Sequence, residues 1–185
     1  MQKLFTIFLA CMLIGCAGLQ GNAKADSSDA AKVSSKIDAA DSDKSSAIYE
    51  VAVNDGVSYQ DVVDSLKSVS EGMNFVNPAN FPIGDHMKLR GVDPQGVKEV
   101  HSFCNLSMGT EIILDHPEFL VFAPCRIALY EKPDANKKLK LFIGLARPTF
   151  DLKNIKNPTE RAQKSAQRLE DALIKLIDKA RRGDI

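Results

Sequence analysis

The sequence contains no tryptophan, and aromatic residues are only 6% of its 185 positions. That leaves too little for a large stacking platform. Charge of one sign is also missing, with 24 lysines and arginines against 24 aspartates and glutamates. Phosphate binding needs a concentrated positive field, so no nucleic acid is expected as a partner. There is no glycine-rich phosphate loop, no serine-centred nucleophile elbow and no metalloprotease helix. A non-enzymatic role is therefore favoured over an enzymatic one. Past the N-terminal segment, no apolar run is long enough to cross a bilayer. What is present is ordinary for a globular domain: 44% hydrophobic and 26% charged residues, at a length that suits one domain with extensions.

The main extension is N-terminal. Lys3 provides a small positive start, and residues 4–15, LFTIFLACMLIG, form an apolar stretch. It is too short for a transmembrane helix and has the anatomy of an export signal. Two cleavage sites compete. LIGC, ending at Cys16, resembles the lipobox of bacterial lipoproteins, in which the cysteine is diacylated and becomes the mature N-terminus. AKA, with Ala23 and Ala25, is an A-x-A site for ordinary signal peptidase before Asp26. The lipobox lies directly behind the apolar stretch and is preferred, which makes residues 1–15 the signal peptide and Cys16 the lipidation site. Cys11 is lost by either route. Ala17 follows the lipobox cysteine; in lipoproteins of the Gram-negative type, a residue other than Asp there implies the outer membrane. The protein is thus expected in the cell envelope, held to the membrane by a lipid anchor and facing the periplasm. A soluble periplasmic protein is the alternative. Residues 16–47 are mostly Ser, Asp, Ala and Lys, with almost no large apolar side chain to offset chain entropy. They read as a disordered tether.

One domain is expected over residues 48–185. IYEVAV, from Ile48, reads as a strand, and Asn54-Asp55-Gly56 as a turn. Ser58 with Asp61 has the form of a capping box, opening a helix with Val62, Val63, Leu66 and Val69 on one face and Gly72 at its end. A short strand at 75–76, a loop and a short helix over 85–90 follow. VKEVHSF, residues 97–103, places Val97, Val100 and Phe103 at every third position, yet its brevity and the preceding Gly96 favour a strand. Asn105 is a good N-cap for a helix stopped before Pro117. Residues 119–130 read as one central strand, interrupted or bulged at Pro124, with a hairpin loop leading to a returning strand over 139–148. Asn157 then caps a long helix with Pro158 at its first position and Glu160 at its third. Its apolar stripe is Ala162, Ala166, Leu169, Leu173, Leu176, Ile177 and Ala180. Lys179, Arg181 and Arg182 suit the negative end of that helix, and Gly183 caps it. The RGD tripeptide at Arg182-Gly183-Asp184 is read as part of this helix end. Strands and helices mix without a βαβ rhythm, which predicts an α+β fold: an antiparallel sheet with helices packed on one face and a long C-terminal helix.

FCN at residues 103–105, PCRI at 124–127 followed by ALYE, and a strand ending in LARP at 145–148 together resemble the domain of unknown function 302 (DUF302) family. The resemblance covers roughly residues 48–148, with the final helix as a common extension. It implies a small α+β domain of a kind found in bacteria and archaea, exported or cytoplasmic, and often dimeric. A homodimer is therefore expected. The family brings no firmly established activity with it.

Cys104 and Cys125 are the two cysteines of the expected domain. Cys104 precedes a predicted helix N-terminus, where the dipole favours the thiolate. Cys125 lies on the next strand, which runs back towards it. Met108 is four residues beyond Cys104, and His101 and His116 flank the region. Cysteine, methionine and histidine are soft ligands suited to copper(I), less so to zinc, although the spacing matches no zinc pattern. Three readings stay open: two small buried hydrophobes, a disulfide worth about 3 kcal/mol for such a loop, or a metal or redox pair. Because the resembled family includes cytoplasmic members with similar cysteines, it weighs against a purely structural disulfide. Arg126 and Arg147 fall on neighbouring predicted strands and are candidates for binding an anion together, or for pairing with Glu131 or Asp151. His86 and His101 read as surface residues and His116 as part of a turn. Glu111, Asp115 and Glu118 read as solvated acids near a helix end.

These observations predict a non-enzymatic ligand- or partner-binding module on a lipid-anchored tether, with its pocket near Cys104 and Cys125. The alternative is a thiol-redox or copper-handling periplasmic protein using those cysteines. Intact mass spectrometry of the mature protein from its membrane fraction is expected to show a chain beginning at acylated Cys16, and Cys16→Ser should release the protein from the membrane. An unacylated chain beginning at Asp26 would overturn the anchor.

Overall fold

A computed structural model describes residues 45–185. The signal segment, Cys16, both cleavage sites and nearly all of the tether lie outside the described residues. Five strands, β1 (Ile48–Ala52), β2 (Val76–Phe81), β3 (Lys98–Cys104), β4 (Cys125–Pro133) and β5 (Leu139–Ala146), pair in the order β1-β5-β4-β3-β2. Every pair is antiparallel. The register lays side chains in rows across the sheet, and Asn80, His101, Ile127, Leu145 and Tyr49 form one such row. On this face Phe103, Leu129 and Ile143 are buried, and the helices pack against it. The other face carries Tyr130 and Phe142, with Lys132 Nζ 4.3 Å from the Phe142 ring centre and 2.5 Å from Glu50. Gly144 makes room for Tyr130, because a Cβ there would come within 3.1 Å of its ring.

Helix α1 (Tyr59–Gly72) opens with the expected capping box: Ser58 Oγ accepts from the Asp61 N–H at 3.1 Å, and the Asp61 carboxylate accepts from the Ser58 N–H at 2.8 Å. Helix α2 (Ile83–Lys88) is short and starts earlier than the predicted 85–90. Helix α3 (Leu106–Asp115) is capped by Asn105, whose Oδ1 accepts from the Met108 N–H at 3.2 Å. Helix α4 (Pro148–Leu152) leads to α5 (Glu160–Ala180), and all seven residues of the predicted apolar stripe are buried there. Two polar residues are buried with them. Ser165 donates to the Met108 carbonyl at 2.9 Å, and Glu170 accepts from the Thr149 N–H at 3.1 Å. Glu170 also lies 3.7 Å from Arg147 Nε, with both side chains at most 5% exposed. No described helix is long and apolar enough to cross a membrane.

Three expectations are corrected. Residues 119–130 are not one strand: a 3₁₀ helix spans Pro117–Phe122, and β4 begins at Cys125 after a cis Ala123–Pro124 bond. Phe119 and Phe122, three apart, meet at 5.7 Å between ring centres while Leu120 and Val121 face solvent, so the apolar run follows a period of three, not two. The short strand at 75–76 is in fact β2, and the register shift lies between Val76 and Ala79, around Pro78, rather than at Pro124. An edge strand tolerates a residue without an N–H. Finally, α5 is capped by Thr159 rather than Asn157; Asn157 is left-handed at φ 53°. A tertiary contact holds this start, because the Thr159 N–H donates to His116 Nε2 at 3.0 Å.

Glu170→Leu removes the carboxylate paired with buried Arg147. It should cost roughly 3–5 kcal/mol in urea unfolding. A loss below about 1 kcal/mol, the scale of an exposed pair, would show that the pair contributes little.

Candidate functional site

The two cysteines end one strand and begin the next. Val76 lies opposite Cys104, whereas Cys125 lies opposite Phe103. Side chains alternate across the pleat, so the register directs Cys125 to the helix-covered face and Cys104 to the other. Both are free thiols, and Cys125 packs against the core. Asn105 caps α3 with Cys104 directly before it, as the sequence predicts, but burial pushes the Cys104 thiol up from its ordinary value rather than down. Burial pushes Cys125 up to about 12, with the Cys104 and Asp151 charges adding to it and Arg126 opposing. Met108 packs against the core from α3. Among the described residues no three of His, Cys, Asp and Glu are grouped to hold a metal ion.

Arg126 and Arg147 do not form a joint anion site. Arg126 is exposed on β4 and lies opposite Ser102, on the face away from the helices. Arg147 is buried at the end of β5, paired with Glu170 and 5.9 Å from the Tyr49 ring centre. Its partner is thus Glu170, where Glu131 or Asp151 was expected. Arg126 does act on Asp151, opposing the rise that burial causes in that carboxyl. The acids near α3 are engaged as well. Asp115 bonds Arg161 and Thr159, which hold its carboxyl down at about 2, and Glu111 bonds Arg168. His86 is exposed as expected. His116 sits in the turn between α3 and the 3₁₀ helix, but it is buried and accepts from Thr159.

His101 is the main departure, because it is only 3% exposed. It shares the helix-covered face of β3 with Glu99 and Phe103, and its ring lies 6.5 Å from that of Phe103, nearly parallel at 12°. Tyr59, at the start of α1, donates its hydroxyl to Glu99 Oε2. The other oxygen, Glu99 Oε1, is 3.3 Å from His101 Nε2, without the alignment of a good hydrogen bond. Burial, acting before the Glu99 charge that opposes it, lowers the His101 pKa and keeps the imidazole neutral. Burial and the bond to Glu99 raise that of Tyr59.

Two clefts flank this chain of side chains. One, of about 490 Å³, opens between α1 and the β2–β3 edge and is lined by Lys67, Phe75, Asn77, Asn80, His101 and Phe103 among others. The second, of about 450 Å³, is lined by Tyr59, Glu99, Glu131 and residues of α2 and its following loop. In the second, charged groups are occupied by the chain itself. Glu131 accepts from the Val97 N–H at 2.9 Å, Lys98 donates to three carbonyls, and Lys88 pairs with Asp85. Gly96, at φ +95°, lets Glu131 lie close, since a Cβ there would sit 2.8 Å from that of Glu131. The first cleft keeps more of its polar atoms available. Asn77 Nδ2 donates to Asn80 Oδ1 at 3.0 Å and to the Ser102 carbonyl at 2.7 Å, leaving Asn77 Oδ1 and Asn80 Nδ2 at the rim. Neither thiol lines either cleft. The signal for His101 was present in the sequence: Glu99, His101 and Phe103 recur at the period of a strand. The every-third spacing of Val97, Val100 and Phe103 hid it.

Burial makes both thiols poor nucleophiles at neutral pH. Native protein should therefore react with Ellman's reagent far more slowly at Cys104 and Cys125 than protein unfolded in urea. Equal rates in the two states would overturn this.

A family model and a solved structure point to the same family. The family model described as "Domain of unknown function DUF302" matches residues 49–180, which takes in α5 as well as the sheet. An "Uncharacterized protein" of Aquifex aeolicus (strain VF5) is 33% identical over 82 residues, 44% of this chain. That match spans about half the relative's length, 51%. The crystal structure of an uncharacterized conserved DUF302 protein from Bacillus stearothermophilus is similar at a TM-score of 0.63 and 18% identity, covering 72% of this chain and 98% of that one. At that identity the likeness speaks for the fold. The motifs around Cys104 and Cys125, the antiparallel sheet and the match over residues 49–180 converge: this chain belongs to the DUF302 family.

Proposed function

We propose that this protein is a non-enzymatic binding module of the cell envelope, tethered through Cys16, and that it seats a small organic ligand in the cleft between α1 and the β2–β3 edge. The observation that carries the reading is His101: a buried, neutral imidazole beside Glu99, facing a cleft of about 490 Å³ over Phe75 and Phe103. Such a volume falls within the range of small-molecule sites, and a few polar groups on apolar walls is their usual chemistry. This cleft lies away from the cysteines, neither of which lines it. The thiol-redox and copper alternative draws less support, since both thiols are held protonated and point to opposite faces of the sheet.

A fragment screen by two-dimensional NMR on the mature chain tests the reading. Shifts are expected to group at Lys67, Phe75, Asn77, Asn80 and His101. Hits grouped at Cys104 and Cys125, or scattered over the surface, would overturn it.

A further inference from the structure

The His101 ring carries information about its ligand because one of its nitrogens faces a carboxylate. Glu99 is held by Tyr59, which donates to Oε2 and leaves Oε1 facing His101 Nε2 at 3.3 Å. A carboxylate oxygen in that position is an acceptor, so it favours the tautomer with the proton on Nε2. The lone pair then sits on Nδ1. No described residue donates a hydrogen bond to that nitrogen, and His101 lines the cleft. A neutral imidazole in this tautomer offers the cleft an acceptor and no donor.

The walls narrow the choice further. Phe75 and Phe103 are 3% and 1% exposed, and with Leu66 they give the cleft an apolar floor. At the mouth, Lys67 and Glu71 carry opposite charges, so the lining has no net charge to attract an anion or a cation. The rim amides of Asn77 and Asn80 offer one acceptor and one donor to a polar tail. The register shift around Pro78 turns Asn77 towards Ser102 and beside Asn80.

From these positions we infer that the ligand is an uncharged, ring-sized apolar molecule bearing a hydroxyl or N–H donor, and that His101 Nδ1 is the acceptor that selects it. The inference rests on the cleft reading above. It adds the chemical class, because a buried acceptor left unmatched disfavours ligands that lack the donor. His101 is thus a specificity residue, with Glu99 and Tyr59 positioning it.

The test uses two probes, indole and 1-methylindole, which share a ring system and differ in the N–H. The mature chain, labelled with ¹⁵N-histidine, is titrated with each. In the free protein the ring nitrogen shifts should report the Nε2–H tautomer. Indole should shift the Nδ1 resonance of His101 and the amides of Asn77 and Asn80, and should bind about tenfold more tightly than 1-methylindole, the effect of one hydrogen bond. His101→Phe keeps the ring and removes the acceptor. It should abolish the preference by weakening indole about tenfold relative to 1-methylindole. Equal binding of the two probes within the cleft of the native protein would overturn the donor requirement and leave the cleft reading standing. An Nδ1–H tautomer in the free protein would overturn the assigned acceptor in the same way. If both probes at saturation shift only residues outside the cleft, or none, the cleft reading fails and the inference with it.

Discussion

The pleat of β3 decides what each part of this domain has to work with. β3 lies between β2 and β4, so its register is held from both sides. Glu99, His101 and Phe103 turn to the helix-covered face, and Val100, Ser102 and Cys104 to the other. A slip by one residue would exchange the two sets, taking a phenylalanine now 1% exposed out from under the helices and bringing a serine and a thiol there in its place. Losing that one burial costs about 2–3 kcal/mol. The core therefore holds the register, and the register places Glu99 and His101 beside the clefts near the β2 side of the sheet.

The helix layer explains why a cleft remains there. Helix α5 is tied to α3 by Ser165 on the Met108 carbonyl, and to α4 by Glu170 with Thr149 and Arg147. Its C-terminal end holds α1: the Ser65 hydroxyl donates to the Asp184 carbonyl, and the Asn54 N–H donates to the Arg181 carbonyl at 3.0 Å. Gly183, at φ +70°, packs against Val57 at this joint. With α1 secured on the α5 side, the sheet edge at β2 is covered only in part. The cleft over His101 is the space between a helix fixed elsewhere and an edge strand shifted at Pro78.

One physical term acts on both sets of candidate groups, with opposite consequences. Burial penalises the charged form, so it raises the two thiols and lowers the imidazole. All three are left neutral near neutral pH. For a cysteine that means a weak nucleophile and a poor metal ligand. For a histidine it means a ring that still donates from one nitrogen and accepts at the other. The same desolvation that quiets Cys104 and Cys125 suits His101 to reading hydrogen bonds.

Local chemistry was legible in the sequence because it acts over a few residues. The capping box at Ser58 and Asp61, the Asn105 cap, the seven-residue stripe of α5 and the mixed α+β class follow from spacing and side-chain type alone. The residues around FCN and PCRI were enough to point to the family. Other features depend on partners distant in the chain. Thr159 displaces Asn157 as the cap of α5, with its N–H meeting His116. Arg147 finds Glu170 instead of a neighbour in sequence. His101 is buried because the pairing of β3 with β2 and β4 sets its face, and Glu99 and Tyr59 reach it only once α1 folds over the sheet. Short-range preferences settle the caps at Ser58 and Asn105 and the apolar stripe of α5. Which polar groups lose their water, and which partners replace it, is decided only when the elements pack.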